Sequence, residues 1–214
     1  SGALEVFARR IGFMRLRHGP TSPFVRKVMV ALEELGKTGE VTLEDGSSSP
    51  LSPNEGNLEA SPLGKIPALI LDDGTTLYDS RVITRWIDAA YGGGLYPPAG
   101  AALWDCLVRE ATADGIMEAA LAVVYEGRLR EEGQRSEAWV AGQRAKVARA
   151  MDLYDAEIER VSGKTDMGAL ALACAFGYVD FRLTDWDWRQ GRPRLARWAD
   201  EMLARPSLKA PAPE

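Results

Sequence analysis

The first forty-five residues contain two strand-like patterns separated by a helical one. Residues 14–18 (MRLRH) and 40–44 (EVTLE) alternate between apolar and polar positions, which predicts two short strands. Between them, apolar residues recur at helical spacing: Phe24, Val25, Val28, Ala31, Leu32 and Leu35. Ser22 stands at the N-cap position, Pro23 at the first helical position and Gly36 just past the end. The pattern therefore predicts the order β-α-β.

A polar segment leads from this unit into a second one of order β-β-α. Residues 45–57 (DGSSSPLSPNEGN) are rich in Ser, Pro and Gly and predict a loop. Residues 67–72 (PALILD) predict a buried strand, and 75–79 (TTLYD) predict the strand that returns after an Asp-Gly hairpin turn. A helix follows, with apolar positions at Val82, Ile83, Trp86, Ile87 and Ala90.

The rest of the chain carries helical patterns and no strand pattern. A Gly- and Pro-rich linker is predicted at 92–100 (GGGLYPPAG). Beyond it, helices are predicted at roughly 101–130, 135–162, 166–184 and 192–204. We therefore predict an α/β domain over 14–91 and an all-helical domain over 101–214.

Composition narrows the class of protein. The chain has 214 residues, a net charge of −5 and a pI near 5.1, which disfavours nucleic acid and anionic membranes as partners. The most apolar stretch, 167–183, includes Asp180 and Arg182, so it predicts a buried helix rather than a membrane span. Two cysteines distant in sequence do not form a disulfide framework, and they fit a reducing, cytoplasmic location. Since His18 is the only histidine, a histidine metal cluster is excluded and no metal is expected.

Residues 1–13 (SGALEVFARRIGF) precede the first methionine, Met14. They lack the basic start, apolar stretch and small-residue cleavage site of a secretory signal. They are interpreted either as a remnant added in front of a native start at Met14 or as a natural extension.

Five segments, in this order and spacing, resemble the cytosolic glutathione transferases of bacterial serine type: TSPFVRKV (21–28), SPLGKIPAL (61–69), LYDSRVITRWID (77–88), ALALACAFGYVDFR (169–182) and RPRLARWADEMLARPS (192–207). The resemblance spans about residues 14–207. It implies a thioredoxin-like N-terminal domain followed by an all-α C-terminal domain. It also implies glutathione as co-substrate, a small hydrophobic electrophile as second substrate, and a homodimer.

Three positions depart from the pattern of that family. Ser61 replaces the usual Asn of the proline loop, and Asp79-Ser80 replaces the usual Glu-Ser pair. Asp166 takes the cap position of a capping box, but Ala169 stands where the returning carboxylate is expected. The loss of one arm of this box bears on stability and not on catalysis.

Under the resemblance, Ser22 is the catalytic residue. The nucleophile is the glutathione thiolate, and lowering a thiol pKa of about 8.5 by two units requires about 2.7 kcal/mol. A hydrogen bond to a charged group contributes about 1.5–3 kcal/mol, and a helix N-terminus about 0.3–1 kcal/mol. A serine at a helix start supplies both. Two alternatives stay open: Thr21 is the activating hydroxyl, or Ser22 is a helix cap alone.

Besides Thr21 and Ser22, five further residues are implied to bind glutathione. Ile66-Pro67 resembles the cis-proline corner of the family, where the Ile66 backbone pairs with the cysteinyl unit, and Lys65 lies beside the glycine end. The alternatives are an ordinary trans proline and a solvated lysine.

Asp79 and Ser80 stand at a strand-to-helix junction. Ser80 and the helix N-terminus are expected to bind the γ-glutamyl carboxylate, and Asp79 to face the α-amino group. The alternative is a simple capping pair.

Three functions are compatible with this sequence. The first is conjugation of glutathione to a hydrophobic electrophile. The second is a glutathione-dependent peroxidase or thiol reductase using the same site. The third is a non-catalytic protein of this fold that binds partners, although such a protein need not keep the residues of a glutathione site.

Overall fold

The computed structural model describes residues 12–213, so all but two of the residues in the N-terminal extension lie outside the described part. The chain divides into an N-terminal unit that ends at Tyr96 and a helical unit over Pro97–Ala212. This division falls inside the predicted linker at 92–100.

The N-terminal unit has the thioredoxin-like arrangement that the sequence predicts. Its elements are β1 (Met14–His18), α1 (Pro23–Glu34), β2 (Val41–Asp45), α2 (Glu55–Ala60), β3 (Ala68–Ile70), β4 (Thr76–Leu77) and α3 (Ser80–Tyr91). The four strands form one sheet in the order β2-β1-β3-β4. Strand β1 runs parallel to β2 and antiparallel to β3, and β4 runs antiparallel to β3.

Helices α1 and α3 pack against each other and share one core with the sheet. The buried residues of this core are Met14, Leu16, Val25, Val28, Leu32, Leu69, Ile83 and Ile87. Helix α1 begins at its predicted cap, Ser22, and the chain leaves it through Gly36 at φ +64°, a conformation that glycine adopts at little cost. The helix is therefore bounded by the residues that its sequence indicates.

The predicted loop over 45–57 is wrong at its end, because α2 begins at Glu55. Asn54 caps this six-residue helix by accepting a hydrogen bond from the Asn57 backbone N–H. The sequence of α2 has no pattern of buried apolar residues that would predict a helix. Its leucine, Leu58, is half exposed, and its fully buried residue is the polar Asn57. This polar residue can be buried because both the oxygen and the nitrogen of its side-chain amide are hydrogen-bonded.

The helical unit contains five helices among the described residues. They are α4 (Gly100–Leu129), α5 (Glu137–Ala156), α6 (Met167–Arg182), α7 (Pro193–Leu203) and α8 (Pro206–Lys209). The predicted helix over 135–162 is too long, since α5 ends at Ala156 and a 3-10 turn follows at Ile158–Arg160. Helix α8 was not predicted, because four residues cannot display a periodic pattern. No helix in the described part of the chain is long and apolar enough to cross a membrane.

Helix α6 is central to this unit and is buried on all sides from Met167 to Val179. It packs tightly on α4: a β-carbon added to Gly168 would lie 2.4 Å from the Cys106 carbonyl oxygen. Asp166 caps α6 by accepting from the Ala169 N–H at 3.1 Å. The fully buried Arg109 of α4 donates to the same carboxylate at 2.6 Å. An arginine from another helix thus supports the cap whose second arm is missing from the sequence.

Candidate functional site

Strand register brings the predicted site segments to one edge of the sheet. His18, the last residue of β1, lies opposite Asp45 at the end of β2. Arg17 lies opposite Ala68, the first residue of β3, because β1 and β3 are antiparallel. Leu69 in turn pairs with Leu77, the last residue of β4. We call the edge where β1, β2 and β4 end and β3 begins the site edge.

All seven predicted site residues belong to segments at the site edge. Thr21 and Ser22 follow β1, the stretch Lys65–Pro67 precedes β3, and Asp79 and Ser80 follow β4. These segments are up to 59 positions apart in sequence, and the mixed sheet is what brings them to the same edge.

Ser22 is the N-cap of α1 and is half-buried. Its Oγ accepts a hydrogen bond from the Val25 N–H at 3.3 Å, and its backbone N–H donates to the Gly19 carbonyl at 3.0 Å. A hydroxyl that accepts one hydrogen bond still has its own proton to donate. Ser22 can therefore cap the helix and donate to an anion at once. Thr21 beside it is exposed, so both candidate hydroxyls lie at the start of the same helix.

The loop between α2 and β3 carries the second group of predicted residues. The Ile66–Pro67 peptide bond is cis, as the resemblance implies. Lys65 is exposed and Ile66 is half-buried, while Pro67 is buried. Ser61, which replaces the usual Asn of this loop, is buried, and its Oγ accepts from the Leu63 N–H at 3.2 Å. It thereby forms a local turn in the loop.

Asp79 and Ser80 differ in their surroundings. Asp79 is the N-cap of α3 and accepts from the Arg81 N–H at 3.0 Å, with 55% of its side chain exposed. Ser80 is the first residue of α3 and is only 2% exposed. The capping role named as the alternative for this pair is therefore present in Asp79. An exposed carboxylate has lone pairs left for a second partner.

Two cations that the sequence did not indicate, Arg81 and Lys27, stabilise the charged form of Asp79. Arg81 Nη2 contacts the carboxylate at 3.1 Å, and Lys27 is fully buried in α1. Partial burial would raise the pKa of Asp79, but the hydrogen bonds and charge of Arg81, with the charge of Lys27, lower it below its ordinary value. The signal for Lys27 is its position in the midst of an apolar helical pattern, where a lysine is seldom found.

Neither cysteine belongs to the N-terminal unit. Cys106 lies in α4 and Cys174 in α6, and both are buried and free of disulfides. Burial raises the pKa of the Cys106 thiol to about 11, against the opposing effect of the hydrogen bond that its sulfur accepts from the Gly168 N–H. Cys106 is thus buried where α4 packs on α6, and its thiol is disfavoured from ionising. Within residues 12–213, no cluster of three or more His, Cys, Asp or Glu could hold a metal ion.

Two family models match this chain. The model described as glutathione S-transferase, N-terminal domain, matches residues 21–90, and that described as glutathione S-transferase, C-terminal domain, matches residues 137–201. The first range includes all seven residues predicted for the site.

Similar proteins cover nearly the whole chain. The uncharacterized GST-like protein YibF of Escherichia coli (strain K12) is 34% identical over 205 residues, which are 94% of this chain and 98% of that protein. A crystal structure of a glutathione transferase family member from Pseudomonas fluorescens Pf-5, with bound glutathione, is 45% identical with a TM-score of 0.92 and covers 94% of this chain and 99% of that one. A further structure from the same organism, with bound S-(propanoic acid)-glutathione, is 45% identical with a TM-score of 0.87 and covers 94% and 100%.

Proposed function

Because the chain belongs to the glutathione S-transferase family, we propose that it binds glutathione at the site edge and transfers the glutathione sulfur to a hydrophobic electrophile. The observation that carries the proposal is the convergence of a helix-capping serine, the Ile66-Pro67 loop and the Asp79-Ser80 junction on one edge of the sheet. The bound glutathione in the related Pseudomonas fluorescens Pf-5 structure supports it.

Ser22 activates the sulfur. Its Oγ accepts the Val25 N–H and donates its proton to the thiolate, so the sulfur also lies near the positive end of the α1 dipole. Both effects favour the anion over the neutral thiol, which lowers the thiol pKa. Thr21 remains the alternative donor.

The remaining residues bind the backbone and the two ends of the tripeptide. The Ile66 N–H and C=O pair with the cysteinyl unit as an added strand does, with Pro67 next to them, and Lys65 lies near the glycine carboxylate. Asp79 pairs with the α-amino group of the γ-glutamyl residue, and the start of α3 at Ser80 binds its carboxylate. The lowered pKa of Asp79 keeps its carboxylate ionised for this contact.

The transfer is a substitution or an addition at carbon. The thiol proton leaves to solvent, and the thiolate electron pair forms a C–S bond with the electrophile. In a substitution, the leaving group departs with the electron pair of the broken bond. In an addition to an activated double bond, the resulting carbanion takes a proton from water. The conjugate bound to the Pseudomonas fluorescens Pf-5 relative contains such a C–S bond, which favours conjugation over peroxide reduction.

We propose further that the protein is a cytoplasmic homodimer. Along α4, apolar or small residues are exposed at positions spaced for one face of the helix. Trp104 and Val108 are 66% and 58% exposed, and Ala111 and Gly115 continue the row. Two exposed large apolar side chains, continued by small residues on the same helix face, favour a protein partner here, and a second copy is the partner implied by the resemblance.

Calorimetry and a conjugation assay test the proposal together. Glutathione should bind the full chain with one site per chain, and an aryl halide or activated alkene should be conjugated in its presence. Peroxide reduction is assayed in parallel as the alternative. If glutathione binds but no electrophile or peroxide reacts, the catalytic part is wrong and the binding-protein interpretation replaces it. If glutathione does not bind, the proposed function fails as a whole.

A further inference from the structure

The side chain of Ile66 lies against two glycines at the site edge. A β-carbon added to Gly19, directly after β1, would lie 2.6 Å from Ile66 Cδ1. One added to Gly46, directly after β2, would lie 2.7 Å from Ile66 Cγ2. Real β-carbons essentially never come so close to another carbon, so a side chain at either position would require Ile66 to move. At Gly19 the end of the flexible Ile66 side chain would have to turn away, and at Gly46 its branched methyl group would have to shift. We call Gly19 and Gly46 the glycine pair.

Gly46 is itself held on both sides of its backbone. Its N–H donates to the His18 carbonyl at 2.7 Å, which extends the pairing of β1 with β2 by one residue. Its carbonyl accepts from Asn57 Nδ2 at 2.8 Å. Asn57 is fully buried, and a β-carbon on Gly46 would also lie 2.9 Å from Asn57 Oδ1. Gly46 therefore cannot shift to make room without breaking these hydrogen bonds.

Arg17 of β1 fixes Asn57 in turn. This arginine is 9% exposed, and its Nε donates to Asn57 Oδ1 at 3.0 Å. Its terminal nitrogens donate to Asn54 Oδ1 at 2.8 Å and to the Asp45 carbonyl, and they pair with Glu44 at 3.2 Å. A buried guanidinium with this many partners loses much of its stabilisation if one of them moves. Several hydrogen bonds thus hold Asn57 in place beside Gly46.

We propose that Gly19 and Gly46 are positioning residues for glutathione: they fix the side chain of Ile66, and thereby the main-chain N–H and C=O of Ile66 that pair with the cysteinyl unit. The inference rests on the proposed glutathione site. A methyl group on either glycine requires the Ile66 side chain to move, and under this proposal the main-chain groups of Ile66 move with it. A displacement of about 1 Å can lower the rate of an enzymatic reaction about a hundredfold. Displaced main-chain groups also form weaker hydrogen bonds to glutathione, so both the affinity and the activity should fall.

The first test is Gly46→Ala against Gly39→Ala. Among the described residues, nothing lies within 4 Å of a β-carbon on Gly39, so Gly39→Ala adds the same methyl group in open space of the same unit. Glutathione affinity is measured by calorimetry, and urea unfolding is measured separately. We expect Gly46→Ala to raise the glutathione Kd about tenfold while the protein remains folded, because the two main-chain hydrogen bonds of Ile66 to glutathione are weakened. Gly39→Ala should leave the Kd unchanged. An unchanged Kd in folded Gly46→Ala overturns the inference.

The second test does not depend on whether Gly46→Ala folds. A β-carbon on Gly19 meets Ile66 Cδ1 and no other described atom within 4 Å, and Ile66→Val removes that one atom. Gly19→Ala should therefore weaken glutathione binding, and Gly19→Ala/Ile66→Val should restore the Kd of Ile66→Val alone. If Gly19 has only a structural role, Gly19→Ala should lower the urea midpoint, and adding Ile66→Val should not restore the Kd. That outcome contradicts the inference. If the unaltered chain binds no glutathione, the proposed function fails. If the unaltered chain and all variants bind glutathione equally well, the proposed function stands and only the role of the glycine pair is refuted.

Discussion

Replacing Ser22 with alanine separates the two roles of this residue. As the N-cap of α1, Ser22 accepts one backbone hydrogen bond, from the Val25 N–H at 3.3 Å. Loss of such a cap costs about 1 kcal/mol, so Ser22→Ala should be less stable yet folded. The carbonyl of residue 22 still accepts from the Arg26 N–H at 3.0 Å, so the first turn of α1 should persist. Glutathione binding should largely remain, because the other contacts of the tripeptide are unchanged.

The effect on catalysis follows from the pKa of the bound thiol. A hydroxyl proton donated to the thiolate contributes about 1.5–3 kcal/mol, which is roughly one to two pKa units. In Ser22→Ala the bound thiol should therefore ionise about one to two pKa units higher. If the bound pKa of the unaltered enzyme is about two units below 8.5, the thiolate fraction, and with it the conjugation rate at neutral pH, should fall about threefold to twenty-five-fold. Since the thiolate fraction grows as pH rises, the rate of the variant should recover as pH approaches the free thiol pKa of about 8.5.

The measurement is the pH–rate profile of conjugation, with the ultraviolet absorbance of the thiolate titrated in parallel. Thr21→Ala is the matched control, since it removes the neighbouring hydroxyl and leaves the cap of α1 in place. Ser22→Cys should shift activity toward thiol exchange, because a cysteine at a helix start is acidic. If the thiolate pKa is the same with serine and alanine at position 22, Ser22 is a helix cap only, and activation belongs to Thr21 or to a backbone amide.

Three further predictions concern binding, stability and assembly. Asp79→Ala combined with Ser80→Ala should weaken glutathione binding several-fold or more in calorimetry, and equal affinity would remove this pair from the site. Asp166→Ala should lower the free energy of unfolding by about 3 kcal/mol in urea, because it removes a cap and a partner of the buried Arg109. Asp166→Asn, which keeps the cap acceptor, should cost less than Asp166→Ala, and an Asp166→Asn variant as stable as the unaltered chain would contradict a role for the charge. Light scattering at micromolar concentration should give a dimer mass that Trp104→Glu reduces, whereas a monomeric mass for the unaltered chain would refute the dimer.

The sequence predicted the strands and helices best where local patterns are strong. Ser22, Pro23 and Gly36 bound α1 as expected, since caps and breakers act through the nearest backbone groups. Prediction failed where the deciding contact is remote. Asn57 occupies a core position in α2 because Arg17, forty residues earlier, hydrogen-bonds to it. No local pattern distinguishes such a helix from the polar loop before it.

The order and spacing of the motifs, through their resemblance to a family, were enough to predict the family, the fold class and the seven candidate site residues. What the tertiary structure decided is how the surroundings of those residues differ. Asp79 is exposed beside Arg81 while Ser80 is buried, and Ile66 lies against a pair of glycines from two other segments. These properties arise from strand register and long-range packing, which bring together residues whose separation in sequence carries no signal of their contact.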